Sequence, residues 1–157
     1  MPLLYYAGLK YELMGYDLLL VSYGDFDNSE DYIENAKNYA LMQMEKMNIS
    51  QYEDIVFVSK SMGTLIAGWL ETKINEKVMH VYLTPLQETL PYITKTENIK
   101  IVIAGTDDKY LNASILKAHC EQEGIHLLQI EGVGHRLEAK KDVGFNIDIL
   151  KQIVEQY

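Results

Sequence analysis

Side chains suited to acyl-transfer chemistry follow apolar runs in this sequence. Ser61 lies between an apolar run and an amphipathic segment, and small residues stand two positions to either side of it. A serine on such a strand-to-helix turn projects its hydroxyl above a sheet. The backbone N–H of Met62 and the positive end of the following helix would face the same space, where an oxyanion could be held. Ser61 is therefore the candidate nucleophile.

A serine hydroxyl needs a base, and four histidines compete for that role. His80 lies inside an apolar run and His119 on the inner stripe of a predicted helix, so we expect both in the core. His126 opens a strand and so lies at its wrong end. His135 follows the last apolar run, in a loop whose glycines let the backbone bend back over the sheet. His135 is the predicted base.

The imidazole in turn needs a carboxylate that fixes its tautomer. Asp107 and Asp108 both follow the apolar run that ends at Gly105, beside the strand that leads to His135. Either aspartate could be the orienting acid. Turn formation would also explain these aspartates, and N-capping would explain Ser61. The coincidence of serine, aspartate and histidine after three different strands favours a triad.

The elements that must position these residues alternate along the chain. Apolar runs typical of strands buried on both faces cover residues 17–22, 54–59, 78–83, 100–105 and 126–131. Helical periodicity fills the intervals. The pattern predicts a three-layer α/β fold, with a mainly parallel five-stranded sheet between helices on both faces. The site should lie at the carboxyl ends of the strands.

Spacing of apolar residues predicts helices near both ends of the chain and directly after Ser61. Two further helices are indicated by capping residues. Asn28 or Ser29 is expected to cap one, and Asn112 is expected to cap another that ends at Gly124.

Composition limits the classes of function. With 157 residues, of which 48% are hydrophobic and 24% charged, the chain is expected to form a single domain over residues 1–157. A formal charge of -9 disfavours partners such as nucleic acid or an anionic membrane. A lone cysteine, no apolar stretch of about 20 residues and no basic leader favour a cytoplasmic location. Metal-ligand spacings and nucleotide-binding motifs are absent, so we predict no metal and no cofactor.

Taken together, these segments resemble the α/β-hydrolase superfamily. The nucleophile elbow of this superfamily is similar to Ser59-Lys60-Ser61-Met62-Gly63. The strand end that carries its acid is similar to Gly105-Thr106-Asp107-Asp108, and its histidine loop is similar to Gly132-Val133-Gly134-His135. The order of serine, aspartate and histidine along the chain also agrees. By position, the resemblance implies Ser61 as nucleophile, Asp108 as acid with Asp107 as the alternative, and His135 as base.

The front of the chain departs from that family's pattern. Members usually have further strands before the first helix, one of which ends in a loop that supplies a second oxyanion N–H. Here a predicted helix follows Pro2, so a strand is missing between the first and second predicted strands. Either those two strands pair directly, or a second chain fills the gap, or the chain is a fragment. The loop over residues 23–27 is expected near the site, and either a backbone N–H of this loop or the Tyr23 hydroxyl is our candidate for the missing donor.

The sequence predicts a serine hydrolase that acts on a small carboxylic ester or thioester through an acyl-enzyme. Two alternatives are a non-catalytic binding protein without a complete oxyanion hole and an acyltransferase that uses the same triad. Residues 84–97 form the only insertion long enough to cover the site, and four of its apolar residues are the expected acyl pocket: Leu86, Leu90, Tyr92 and Ile93. The expected partner is a small acyl substrate, and a homodimer is one way to cover the gap in the sheet.

Overall fold

Parallel strand pairing organises the computed structural model, which describes residues 2–23, 31–94, 98–140 and 142–157. Within these residues a single sheet has the strand order β1-β2-β3-β4. The strands are β1 (Ile55–Lys60), β2 (Val78–Leu83), β3 (Ile99–Gly105) and β4 (Leu127–Ile130). Because every pair is parallel, the carboxyl ends of all four strands lie at the same edge of the sheet.

Helices cover both faces of this sheet. On one face, α1 (Leu3–Leu13) and α5 (Val143–Val154) pack against alternate residues of the strands, including Val81 and Ile101. On the other, α3 (Met62–Glu71) and α4 (Ala113–Glu123) pack against the intervening residues. A further helix, α2 (Tyr32–Glu45), packs outside α3. The chain therefore has the predicted α/β architecture, because successive strand residues point to opposite faces and each face is apolar.

Capping residues set the ends of two helices. The side-chain oxygen of Asn112 accepts hydrogen bonds from the first turn of α4, and Gly124 ends that helix at a φ of 67°, as predicted. Asp142 caps α5 by accepting from the backbone N–H of Phe145 at 2.7 Å, which we did not predict. The predicted cap of α2, at Asn28 or Ser29, lies outside the described residues.

The predicted strand over residues 17–22 is wrong. This segment joins no sheet within the described residues, so four strands are present there and not five. Its polar groups bind elsewhere: the Asp17 carboxylate accepts from the Tyr52 hydroxyl at 2.7 Å, and the backbone of Ser22 bonds to the Gln43 amide. An apolar run indicates burial, but a strand also needs a neighbour to pair with. The direct pairing of this segment with β1 does not occur.

An apolar cavity of about 720 Å³ lies along the edge of β1 that faces away from β2. Its walls come from β1, α1, α3 and residues 16–21. At the carboxyl end of β1 the cavity reaches Lys60, Gly63 and Tyr23. Part of the apolar run is consequently open to solvent, and Leu20 is 79% exposed.

Replacing Asn112 by alanine tests the cap of α4. Asn112→Ala removes the acceptor for two backbone N–H groups, of Ser114 and Ile115, so we expect a loss of about 0.5–2 kcal/mol in the free energy of unfolding. Urea denaturation measures this loss. Asn75→Ala, at an exposed asparagine outside any helix, is the control and should change stability by less than about 0.5 kcal/mol. Equal effects of the two substitutions would contradict the assigned cap.

Candidate active site

Ser61 occupies a strained turn between β1 and α3. Its φ is 55° and its ψ is -127°, a backbone conformation that residues other than glycine rarely adopt. The Ser61 N–H donates to the carbonyl of Leu83 at 3.0 Å, and the Ser61 carbonyl accepts from the N–H and hydroxyl of Thr64 at 2.9 and 2.6 Å. These bonds to the neighbouring strand and to the first turn of α3 hold the turn and leave Ser61 half-buried at the carboxyl edge of the sheet.

Two hydrogen bonds join Ser61 to the predicted base and acid. Ser61 Oγ lies 2.7 Å from His135 Nε2, and His135 Nδ1 lies 2.8 Å from Asp108 Oδ2. A proton on Nδ1 would be donated to the carboxylate, and Nε2 would then accept the serine hydroxyl proton. The Asp108 side chain is 2% exposed and the His135 side chain 16%, so the acid is buried beneath the base. The structure thus brings together three residues that follow β1, β3 and β4.

The two adjacent aspartates have different surroundings. Asp107 is exposed, and its carboxylate accepts from the Thr106 hydroxyl at 3.2 Å. Asp108 is buried, and its second carboxylate oxygen accepts from the backbone N–H of Tyr110 at 2.9 Å. With both oxygens of Asp108 engaged, the carboxylate has one orientation. The geometry therefore selects Asp108, and not Asp107, as the partner of His135.

The remaining histidines lie away from this arrangement. His80 is fully buried beside Glu71, with 3.0 Å between Nε2 and Oε2, and burial lowers the pKa of its imidazole. His119 is half-buried, and its Nε2 lies 2.6 Å from the carbonyl oxygen of Ile93. His126 is exposed and precedes β4, so it stands at the opposite edge of the sheet. The burial of His80 and the position of His126 agree with the sequence analysis, whereas His119, which we expected in the core, is only half-buried.

The loop that carries His135 packs closely against the end of β3 and is hydrogen-bonded to the residues that follow this strand. A Cβ on Gly105 would lie 2.1 Å from the carbonyl oxygen of Val133, far inside any allowed contact. That same oxygen accepts from the Asp107 N–H at 2.9 Å, and the Gly132 N–H donates to the Thr106 hydroxyl at 2.9 Å. The absence of a side chain at Gly105 lets the loop approach the strand, and this approach sets the position of His135.

Two further side chains contact His135 that the sequence analysis did not place in the site. The Tyr110 ring meets the His135 ring edge-on, with 4.5 Å between centroids. Lys60 Nζ donates to the carbonyl of His135 at 3.2 Å. Burial lowers the pKa of Lys60, against the opposing effect of Asp108 and Glu138. The position of Lys60 directly before Ser61 was visible in the sequence, but its contact spans 75 residues and needs the fold.

The backbone at the start of α3 offers an oxyanion donor. Met62 is the first residue of α3, so its N–H has no carbonyl partner within the helix. This N–H lies at the positive end of the helix dipole, directly after Ser61. Both properties suit it to bind a negatively charged oxygen that forms on a carbon attached to Ser61.

The predicted acyl pocket in residues 84–97 is wrong for Ile93, while Leu90 and Tyr92 are half-buried. Ile93 is fully buried in the core shared with α4, and Leu90 packs against the same core. Tyr92 lies against α3, where a Cβ on Gly68 would come within 2.5 Å of its ring. These side chains are used in the packing of the domain. Residues 95–97 lie outside the described residues.

The described ranges hold no group of three or more histidine, cysteine, aspartate or glutamate side chains arranged to bind a metal ion. Among the same residues no helix is long and apolar enough to cross a bilayer. Cys120 is buried, and burial raises the pKa of its thiol to about 11, so it is protonated at neutral pH.

Comparisons by sequence and by fold give different results. No protein-family model and no curated protein matches the sequence. A suggested hydrolase of the alpha/beta superfamily from Xanthomonas campestris pv. campestris is 15% identical, with a TM-score of 0.68 over 96% of this chain and 86% of that one. An alpha-beta serine hydrolase homologue from Coxiella burnetii is 14% identical, with a TM-score of 0.61 over 98% and 74%. A predicted CIB-like hydrolase from Thermoplasma acidophilum is 18% identical, with a TM-score of 0.61 over 94% and 76%.

Adding a methyl group at Gly105 tests how the histidine loop is held. Because the Val133 carbonyl is backbone and cannot swing aside, Gly105→Ala should cost about 1–3 kcal/mol in stability and displace the loop. Urea denaturation gives the stability, and a crystal structure should show His135 Nε2 beyond hydrogen-bond reach of Ser61 Oγ. Gly134→Ala is the control, since its Cβ would meet the Asp107 oxygen at an ordinary 3.5 Å. An unmoved loop in Gly105→Ala would refute the proposed role of this contact.

Proposed function

We propose that this chain, which has the α/β-hydrolase fold, is a serine hydrolase that cleaves a small carboxylic ester or thioester through an acyl-enzyme. The observation that carries the proposal is the pair of hydrogen bonds from Ser61 Oγ to His135 and from His135 to Asp108. Nucleophile, base and orienting acid are thereby in reach of one another on a strained turn beside a helix N-terminus. This arrangement is the one that acyl transfer by serine requires.

In the proposed reaction, His135 Nε2 takes the Ser61 proton while Oγ attacks the carbonyl carbon of the ester. The carbonyl oxygen becomes an oxyanion, which the Met62 N–H stabilises. Collapse of this intermediate breaks the bond to the leaving group, and His135 gives its proton to the departing alcohol or thiol. Asp108 stays ionised and stabilises the imidazolium. Water then attacks the acyl-enzyme with His135 again as base, and the carboxylic acid and free Ser61 are released.

A small acyl group fits the surroundings of Ser61. The apolar residues Leu90 and Ile93, which would have formed an acyl pocket, are engaged in the core. Tyr110, which flanks His135, is 52% exposed, so this side of the site opens to solvent. The large cavity beside β1 reaches Lys60 and Gly63, but Ser61 is not among its lining residues. These features favour a short acyl chain over a long one.

Covalent labelling tests the proposed nucleophile. A fluorophosphonate probe should react with Ser61, because His135 activates its hydroxyl, and mass spectrometry of the digested protein should place the adduct there. Ser61→Ala should abolish labelling and the hydrolysis of p-nitrophenyl acetate. Ser114→Ala, at an exposed serine of α4, is the control and should retain both. A folded protein that resists the probe would instead support the non-catalytic binding protein.

The adjacent aspartates provide a matched pair for the acid. Asp108→Asn should lower kcat by about 10⁴-fold, since an amide at this position favours the wrong imidazole tautomer. Asp107→Asn, one residue away and exposed, should leave kcat within about 3-fold of the unmodified protein, because substitutions away from the reacting groups have small effects. Steady-state hydrolysis of p-nitrophenyl acetate measures both. If Asp107→Asn had the larger effect, the acid would be misassigned.

A further inference from the structure

We propose that the hydroxyl of Tyr23 is the second oxyanion donor of this site, opposite the backbone N–H of Met62. This inference rests on the proposed function, because an oxyanion forms only if Ser61 attacks a carbonyl. It extends that function by assigning a side chain to a task that hydrolases of this fold commonly give to a backbone N–H. Tyr23 would touch the reacting oxygen and would therefore be a catalytic residue.

The position of the hydroxyl carries the inference. A Cβ built on Gly63 would lie 2.9 Å from Tyr23 Oη and 4.0 Å from Tyr23 Cζ. The hydroxyl therefore reaches the first turn of α3, one residue beyond Met62, with its ring behind it. The same built Cβ would lie 4.0 Å from Ser59 Cβ. Tyr23 Oη thus stands beside Gly63, the small residue two positions after Ser61.

The hydroxyl is chemically suited to donate. Within the described part of the chain it makes no hydrogen bond, so its proton is not committed to another acceptor. Burial raises the pKa of Tyr23, and the neighbouring Tyr32 adds to this effect. The phenol consequently stays neutral and protonated at neutral pH, as a donor to an anion must be. Its ring packs against the core formed by α2 and α3, which limits its movement.

Other polar side chains near Ser61 are engaged or enclosed. Lys60 Nζ donates to the carbonyl of His135. The Thr64 hydroxyl bonds to the Ser61 carbonyl and lies 2.8 Å from the Thr89 hydroxyl. Ser59 Oγ has no hydrogen-bond partner within the described ranges, but it is buried and closed to solvent. Tyr23 differs from these side chains in two ways. Its hydroxyl proton is not donated to any described acceptor, and its hydroxyl lies against the first turn of α3.

Removal of the one oxygen atom tests the assignment. Tyr23→Phe keeps the ring and its packing, and it should lower kcat for p-nitrophenyl acetate by about 10²- to 10³-fold, the usual effect of one lost oxyanion donor. The KM should change by less than about 3-fold, since the interaction forms in the transition state. Phenylboronic acid, which forms a tetrahedral adduct with a serine hydroxyl, should bind more weakly by a similar factor. If Tyr23 had only a structural role, its substitution would not lower kcat and the affinity for phenylboronic acid by similar factors.

Tyr16→Phe is the matched control. Tyr16 is a half-buried tyrosine that lines the same cavity, but it packs on Tyr11 in the core of the opposite sheet face. Its loss of a hydroxyl should leave kcat unchanged. If Ser61 is labelled and the unmodified protein is active while Tyr23→Phe retains full kcat, this inference fails and the proposed function stands. If the unmodified protein neither reacts nor turns over, both fail together.

A double-mutant cycle keeps the test independent of any effect on folding. Gly63→Ala places a methyl group 2.9 Å from Tyr23 Oη, closer than an ordinary contact, and should push the hydroxyl away from the turn, which lowers kcat. In the Tyr23→Phe background this oxygen is absent, so the same substitution should cost less than it does alone. Thermal unfolding of each variant verifies that the proteins are folded. Independent, multiplicative losses would overturn the assignment of Tyr23.

Discussion

Parallel pairing of the strands is the constraint on which this site depends. β1, β3 and β4 are not all neighbours, yet their carboxyl ends share one edge because β2 joins β1 to β3 in the same direction. Reversal of any one strand would carry its terminal loop to the far side of the sheet. The contact between Ser61 and His135, which spans 74 residues, exists only because this direction is kept.

The sheet also supports local features that are unfavourable by themselves. The positive φ of Ser61 and the close approach of Val133 to Gly105 both need surroundings that leave no alternative. Hydrogen bonds from Ser61 to Leu83 and from Asp107 to Val133 provide them, and each joins a loop to a neighbouring strand or loop. Packing of the sheet thereby stabilises the strained turn at Ser61 and holds the loop of His135 in place, so the side chains of the candidate site are preorganised.

An unpaired edge of β1 is a further feature of the described sheet. In the described residues β1 pairs on one side only, and an apolar cavity lies along the other. Among these residues, no strand is present to bond with the backbone groups on that edge. Tyr23 lies close to Gly63, and no strand of the described ranges occupies the space between residues 16–23 and β1. The incomplete sheet and the proposed oxyanion donor are therefore two consequences of one arrangement.

Local sequence signals were enough to predict most residues of the candidate site. Small residues around Ser61, paired aspartates after Gly105 and glycines before His135 are local signals, and four of the five predicted strands are present because apolar runs reflect burial on both faces. Tertiary structure alone decided between Asp107 and Asp108, since they differ in burial and not in type or spacing. It also decided that residues 17–22 form no strand and that Leu90 and Ile93 serve the core. Pairing and packing depend on distant partners, and local periodicity carries no information about where those partners lie.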